Sequence, residues 1–156
     1  MMDSQGVRIR PAELGDLDAI AAANIALADE TEGVRLEANT VRDGIRSILD
    51  GSAPGHYWVA EHNGRFVGQL LITFEWSDWR NRMVWWIQSV YVMPDARKSG
   101  VFRSLYEHVR REAQAARAGG LRLYVDVTNT GAQAVYAGLG MNGDHYRVFE
   151  DMFGEL

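Results

Sequence analysis

The chain contains no cysteine among its 156 residues. That absence excludes a disulfide framework, a thiolate metal site and a cysteine nucleophile. No apolar run approaches the roughly 20 residues that a membrane-spanning helix needs, and the N-terminus has no apolar run followed by a cleavage site. We therefore expect no signal peptide, no membrane partner and a cytoplasmic location.

An excess of positive charge is also missing. The chain has 16 Lys and Arg against 21 Asp and Glu, a formal net charge of −5, so we expect no nucleic-acid partner. The mild acidity is compatible with a cationic substrate. The four histidines show no metal-ligand spacing, and we predict no metal. The length suits one domain over residues 1–156.

Hydrophobic periodicity predicts alternating strands and helices. Asn63-Gly64 between two apolar runs predicts a hairpin, residues 40–43 resemble a capping box, and residues 29–39 interrupt the helical pattern. We expect strands over residues 7–10, 56–61, 65–74, 83–93, 121–127 and 146–152, with a connection over residues 75–82. We expect one helix to begin near Asp16, a second to begin at residue 40, and two more over residues 100–118 and 132–139. The order indicates a mixed-sheet α/β domain.

The most informative segment follows the strand over residues 83–93. Pro94 ends that strand, a basic loop containing Gly100 follows, and a helix then begins. The first N–H groups of a helix have no intrahelical partner, and the helix dipole adds positive charge there. The segment therefore predicts either an anion-binding site or an ordinary strand-to-helix turn.

Two segments resemble the GNAT superfamily of N-acetyltransferases. Arg97, Lys98, Ser99, Gly100 and Val101 match its acyl-CoA-binding pattern Arg/Gln-x-x-Gly-x-Gly/Ala, although Phe102 stands where the family has a small residue. Residues 129–141 are similar to its Asn-x-x-Ala-x-x-x-Tyr-x-x-x-Gly-Phe segment, with Met141 in place of Phe. The resemblance implies a single GNAT-type α/β (α+β) domain. That domain would have a mixed, mostly antiparallel sheet of six to seven strands, about four helices, and splayed fourth and fifth strands.

The resemblance also implies acetyl-CoA as co-substrate. Backbone N–H groups and basic side chains around Gly100 would hold its pyrophosphate, and its pantetheine arm would pair with the end of the fourth strand. The implied cofactor-binding residues are Val90, Tyr91, Val92, Arg97, Lys98, Ser99, Gly100, Val101, Phe102, Arg103, Asn129, Gln133 and Tyr136. The ring of Phe102 either turns into the core or displaces the pyrophosphate.

The family resemblance implies that Tyr136 is catalytic and protonates the leaving thiolate. The general base stays open. Gln88 occupies the region where many family members have a glutamate, and an amide cannot accept the proton. Glu75, Asp78, a water chain and bulk solvent are the alternatives.

Two acidic segments are candidates for the acceptor site. Glu30, Glu32, Glu75 and Asp78 lie in regions that often line this site in the family. Carboxylates beside tryptophans suit a cation, although an acidic face exposed to solvent would have the same composition. We expect direct transfer of acetyl, in a ternary complex, to a primary amine of a small cationic molecule.

Other functions are compatible with the same residues. A catalytically weak or inactive acyl-CoA-binding sensor or partner module is favoured by Phe102 and Gln88, and transfer to oxygen is a further alternative. The resemblance also allows a homodimer, to which Trp79, Trp85 and Trp86 could contribute.

Overall fold

A computed structural model describes residues 6–154 and 156. In that part of the chain five strands and four helices follow one another in the order β-α-α-β-β-β-α-β-α. They are β1 (Val7–Pro11), α1 (Leu17–Glu32), α2 (Ala38–Leu49), β2 (His56–His62), β3 (Arg65–Ser77), β4 (Arg82–Val92), α3 (Val101–Ala115), β5 (Leu121–Arg122) and α4 (Thr130–Gly138).

The strands form one mixed sheet in the order β1-β2-β3-β4-β5. The first four are antiparallel neighbours, and β5 runs parallel to β4. The parallel pair is very short, because only Trp85 with Leu121 and Trp86 with Arg122 are in register. Beyond Trp86 the two strands part, as expected for splayed fourth and fifth strands.

Both hairpins are tight. Asn63 and Gly64 have φ values of 51° and 75°, the left-handed conformation that a two-residue hairpin turn requires at both positions, so the predicted turn is confirmed. The predicted connection over residues 75–82 is too long. β3 continues to Ser77 and β4 already begins at Arg82, because aromatic and apolar side chains pair across the two strands.

The predicted count of six to seven strands is not confirmed, since the structure shows five in the described residues. Of the strand expected over residues 121–127 only Leu121–Arg122 is paired. The strand expected over residues 146–152 is wrong: this segment is exposed and irregular. Its sequence pattern indicates β propensity, but a strand also needs a neighbour to pair with.

The bounds of all four helices also differ from the prediction, α4 least, since it spans Thr130–Gly138 where residues 132–139 were expected. The expected capping box at residues 40–43 is wrong because α2 begins earlier. The Glu37 carboxylate caps it by accepting bonds from the N–H groups of Asn39 (3.0 Å) and Thr40 (2.6 Å). α1 continues through the polar segment to Glu32 and ends at Gly33, whose φ is 64°. α3 ends at Ala115, three residues before the predicted boundary.

Helices cover the sheet on both faces. α3 packs on one face over a core that includes Leu70, Ile72, Leu105 and Val109. α1 and α2 cover the other face around Ile20, Ile45, Tyr57 and Val59. No helix in the described part of the chain is long and apolar enough to cross a membrane.

Gly68 determines how closely α3 approaches β3. A Cβ atom at this position would lie 2.9 Å from the carbonyl oxygen of Tyr91 and 3.3 Å from Cγ1 of Val101. Any side chain here would press the sheet against the first turn of α3. The absence of a side chain therefore helps to place the N-terminus of α3 beside the end of β4.

We expect Gly68→Ala to destabilise the protein by about 1–3 kcal/mol, the usual range for overpacking a core. The matched control is Gly44→Ala on the exposed face of α2, where a Cβ would meet no atom within 4 Å. That change should stabilise by roughly 0.5–1 kcal/mol, because alanine favours a helix over glycine. Thermal unfolding of both variants measures the difference. Equal stabilities would contradict the close contact at Gly68.

Candidate active site

A cleft of about 150 Å³ opens where β4 and β5 separate. One wall is the second half of β4, and the other is the segment that continues from β5. The C-terminal half of α1, and α4 with its N-cap, close the remaining sides. The lining residues are Leu27, Thr31, Glu32, Ile87, Gln88, Ser89, Val90, Leu123, Tyr124, Val125, Asp126, Asn129 and Tyr136.

A bulge in β4 explains where the cleft begins. Leu71 is opposite Ser89 and Ile72 is opposite Ile87, so Gln88 is an extra residue without a partner in β3. Bulges bend a strand and increase its twist, and this one follows the last β4–β5 pair at Trp86 by two residues. The side-chain amide of Gln88 donates to the Thr73 hydroxyl at 2.7 Å. Past the bulge, the β4 edge that faces the cleft can pair with an extended amide-containing ligand.

The N-terminus of α3 is open. Lys98 and Gly100 adopt the left-handed conformation, with φ values of 62° and 85°, and no side chain caps the helix. Its first intrahelical bond is donated by the Ser104 N–H to the Gly100 carbonyl. The N–H groups of the preceding first turn are thus available to an anion.

The side chain of Arg97 is held by α1 and β4. Its guanidinium forms an ion pair with Glu30 at 2.7 Å, donates to the Val92 carbonyl at 3.0 Å, and lies 5.3 Å from the centre of the Tyr91 ring. The Tyr91 hydroxyl donates to the same Glu30 carboxylate at 3.0 Å. The side chains of Arg97, Tyr91 and Glu30 therefore contact one another, and the Arg97 guanidinium is already paired. The predicted anion site contains two further basic side chains, those of Lys98 and Arg103.

Tyr136 lies in the wall of the cleft, on α4. Burial raises the pKa of its hydroxyl above the usual value. The Phe102 ring stands edge-on to the Tyr136 ring, with 5.8 Å between their centres, and it also packs against the core beneath α3. Of the two alternatives for Phe102, the structure shows the one in which the ring turns inward.

Asn129 and Gln133 have structural contacts. The Asn129 side chain caps α4 by accepting a bond from the Ala132 N–H at 3.1 Å. The Gln133 amide donates to the carbonyls of Asp126 (3.1 Å) and Val127 (3.2 Å). The two residues therefore fix the loop between β5 and α4, and of the two only Asn129 lines the cleft.

The four predicted acceptor residues are not brought together. Only Glu32 lines the cleft. Glu30 is paired with Arg97, Glu75 forms an ion pair with Arg122 at 2.5 Å, and Asp78 accepts a bond from the Trp79 N–H in the β3–β4 turn. None of these three lines the cleft.

Asp126 is a cleft residue that the sequence analysis missed. Its carboxylate accepts bonds from the N–H and the hydroxyl of Thr128, which hold its pKa below the usual range. The sequence feature that could have identified Asp126 is its position as the first charged residue after the apolar run at residues 123–125. Asp126 and Glu32 put two carboxylates in the lining of one cleft.

A second depression in the described surface has a mainly apolar lining. An open depression of about 480 Å³ lies on α1, lined mainly by aliphatic residues together with Asp29 and Arg35. Among residues 6–154 and 156 no group of three or more His, Asp or Glu side chains is arranged to hold a metal ion.

Comparisons with known proteins agree with this geometry. Residues 22–141 match the acetyltransferase (GNAT) family. The structure of a possible acetyltransferase from Clostridium difficile 630 is similar, with 37% identity, a TM-score of 0.88, and 96% of this chain and 99% of that chain covered. No curated protein matches.

Two more distant structures share the fold. A ribosomal-protein-alanine N-acetyltransferase from Brucella melitensis biovar Abortus 2308 is 16% identical, with a TM-score of 0.75 over 94% of this chain and 99% of that one. An aminoglycoside acetyltransferase from an uncultured soil metagenomic sample, in complex with trehalose, is 13% identical. Its TM-score is 0.76 over 97% and 99% of the two chains.

The contact between Arg97 and Glu30 can be measured directly. Arg97 and, to a smaller extent, the Tyr91 hydroxyl lower the pKa of Glu30. The pair therefore stabilises the fold above the pKa of an unfolded glutamate and loses that effect as pH falls through the lower folded pKa. Partial exposure keeps the stabilisation small.

We expect Arg97→Gln to raise the pKa of Glu30 toward its usual value in a carboxyl NMR titration. Arg103→Gln is the matched control, because Arg103 pairs with Glu107 on its own helix. A Glu30 pKa that does not change in Arg97→Gln would show that the ion pair is absent in solution.

Proposed function

The chain belongs to the GNAT family of acetyltransferases, and from that premise we propose that it transfers the acetyl group of acetyl-CoA to a primary amine of a small, positively charged molecule. One observation carries the proposal. A single cleft has Tyr136 in its wall, the free edge of β4 along one side, and the carboxylates of Glu32 and Asp126 in its lining.

The residues at the start of α3 suit the pyrophosphate of the co-substrate. Backbone N–H groups of residues 101–103 are fixed before an anion arrives, and Lys98 and Arg103 add positive charge. The backbone of Val90, Tyr91 and Val92 would pair with the amides of the pantetheine arm. Acetyl-CoA supplies an activated acetyl thioester.

Tyr136 would act as the acid. Its raised pKa keeps the hydroxyl protonated at neutral pH, so it can give a proton to the sulfur as the carbon–sulfur bond breaks. The tyrosinate then recovers a proton from solvent. Backbone N–H groups of β4 beyond the bulge would stabilise negative charge on the attacked oxygen.

Glu32 and Asp126 would attract the protonated amine. The amine must lose its extra proton before it can attack the thioester carbon. Glu75 and Asp78 lie outside the cleft lining and Gln88 cannot accept a proton, so we assign this step to water beside the two carboxylates. No cysteine is available to carry the acetyl group, which favours direct transfer.

A sensor or partner module that binds acyl-CoA without turnover is the second candidate. The Gln88 amide, bonded to Thr73 in place of a carboxylate, favours it. Release of free thiol from acetyl-CoA with a panel of amines separates the two functions. Binding without release above the buffer rate, for every amine, would favour the sensor.

Gly100→Val should weaken acetyl-CoA binding strongly, because a side chain would crowd the N–H groups at the start of α3. Gly33→Val is the matched control: both glycines have positive φ, so both variants carry backbone strain, but only one lies at the proposed anion site. Titration calorimetry in the presence of a chelator gives both dissociation constants. Equal weakening would contradict a special role for Gly100.

Tyr136→Phe should lower kcat by about 10²–10⁴-fold, the usual contribution of a general acid, with little change in the dissociation constant of acetyl-CoA. Tyr124→Phe removes a hydroxyl from the same cleft and should leave kcat nearly unchanged. Steady-state kinetics and calorimetry provide the two readouts. Full activity of Tyr136→Phe would mean that the thiolate leaves without a protein acid.

Glu32→Gln should raise the KM of a cationic amine and leave that of acetyl-CoA unchanged, since it removes one of the two carboxylates in the cleft lining. Asp29→Asn makes the same change of charge on the same helix, outside the cleft, and serves as control. An acceptor panel of polyamines, aminoglycosides and amino-acid amides supplies the substrates. Turnover of neutral or anionic amines alone would overturn the proposed acceptor class.

A further inference from the structure

The two halves of α1 are held against the sheet in different ways. Four side chains in its first half are buried: Leu17, Ile20, Ala21 and Ala23. Three of these belong to the apolar core beneath α1 and α2. In α1, every residue of which the structure describes, no side chain after Ala23 is buried or belongs to an apolar core. Apolar packing therefore fixes the first half of the helix but not the second half, which lines the cleft.

A polar side chain from the centre of the sheet reaches this second half. Gln69 lies in β3 between Val59 of β2 and Tyr91 of β4, and it is 0% exposed. Its amide donates a hydrogen bond of 2.7 Å to the side-chain carbonyl of Asn24, the residue that follows the buried part of α1. Apart from aromatic residues, Ser77 is the only other buried polar residue in the described part of the chain.

Asn24 is bonded to a second strand at the same time. Its side-chain amide donates to the Tyr57 hydroxyl at 3.1 Å. Tyr57 belongs to β2 and is 4% exposed, within the core beneath α1 and α2. Two hydrogen bonds from one side chain to neighbouring strands restrict α1 both along its axis and across the sheet.

These hydrogen bonds add precision more than they add stability. The Gln69 side-chain carbonyl has no partner among the described residues, and a buried amide gains little net free energy when only part of it is paired. A hydrogen bond is restricted to a narrow range of distances and angles. A single buried amide can fix the register of packed helices for this reason. Gln69 can fix the placement of α1 on the sheet in the same way.

Asn24 shares its face of α1 with residues that line the cleft. Leu27 and Thr31 follow it by three and seven positions, spacings that place side chains on one face of a helix, and both line the cleft. Glu32, whose carboxylate is proposed to attract the amine, comes next in the chain. A displacement of α1 at Asn24 would therefore move this wall of the cleft.

The other polar contact in this half of α1 is weaker. The ion pair between Glu30 and Arg97 has side chains that are 40% and 44% exposed. Exposed ion pairs contribute little free energy and are screened by salt. The bond between Asn24 and Gln69 ends on a fully buried residue, where solvent does not compete for it. The placement of the second half of α1 thus depends mainly on Gln69.

We infer that Gln69 is a positioning residue for acceptor recognition. Through Asn24 it sets where the second half of α1 lies, and so how far Glu32 stands from Asp126 across the cleft. Gln69 itself does not line the cleft. The inference rests on the proposed function, because it concerns the acceptor of that reaction. A misplacement of about 1 Å in a group that positions a substrate can lower a rate about 10²-fold.

The first test is amide hydrogen exchange of the full chain without ligand. Gln69→Met keeps an unbranched side chain of similar length and removes the hydrogen bond. Exchange should become about 10-fold faster over residues 25–32, because this half of the helix opens more easily, and stay unchanged over residues 17–23. Ser77→Ala is the matched control, since it removes the other buried polar side chain of β3. It should leave exchange in both segments unchanged.

The second test is kinetic, with spermidine, kanamycin and lysinamide as probes of the acceptor site. Gln69→Met should raise the KM of each amine that the wild type acetylates by about 10-fold, a factor within the cost of a small misplacement. The dissociation constant of acetyl-CoA, measured by calorimetry, should not change, because its proposed site lies on β4 and α3. Ser77→Ala should change neither constant.

A double-mutant cycle keeps the inference testable if Gln69→Met is unstable. Asn24→Leu removes the same hydrogen bond from the helix side, at a residue that is only half-buried. If the two residues act through one bond, the double variant should change exchange and KM no more than either single variant does. Additive changes would overturn the inference.

Three further results would overturn it: unchanged exchange over residues 25–32 in Gln69→Met, equal acceleration over residues 17–23, or a wild-type acceptor KM in a variant whose α1 exchanges faster. A failure of the proposed function gives a different result. In that case the wild type acetylates none of the three amines, while exchange and the double-mutant cycle still decide whether Gln69 places α1.

Discussion

After Trp86 and Arg122, β4 and β5 no longer pair, so the polar backbone groups of β4 that face away from β3 need another partner. The bulge at Gln88 bends β4 just beyond this point and opens the sheet. The cleft, with its strand edge, its carboxylates and Tyr136, follows from this separation. A longer β5 would fill the same space with ladder hydrogen bonds and leave no site.

Packing on both sheet faces keeps the opening in place. Gly68 allows the first turn of α3 to approach β3 and the end of β4, and Phe102 in that turn packs against both the core and Tyr136. On the opposite face the ion pair between Glu30 and Arg97 ties α1 to the loop before α3. The first turn of α3 therefore carries the proposed anion site and, through Phe102, also contacts Tyr136, the proposed acid.

Local sequence patterns predicted the parts of the fold that depend on short-range physics. Asn63-Gly64 favours positive φ at both positions, and the structure has the expected turn. Pro94 ends β4 because proline cannot continue the ladder, and Gly100 permits the left-handed residue before α3. The strand over residues 146–152 was wrong because alternation describes one strand, whereas pairing depends on a second one.

The acidic residues of the site also show that local sequence does not determine which side chains come together. Glu30 and Glu32 are two positions apart in α1, yet one is paired with Arg97 and the other lines the cleft. Successive positions on a helix point in different directions, and the partner of Glu30 lies 67 residues away along the chain. Asp126 became a candidate only once the fold had placed it across the cleft from α1.

By itself the sequence determined the family, the order of the elements as far as α4, the Asn63-Gly64 turn and the position of Gly100 at the start of α3, since each depends on residues that are neighbours along the chain. Only the tertiary structure decided which carboxylates share a cleft, which basic side chain is held by an ion pair, and which apolar segment is left uncovered. Those outcomes depend on contacts between distant residues, and the cleft itself lies where β4 and β5 stop pairing.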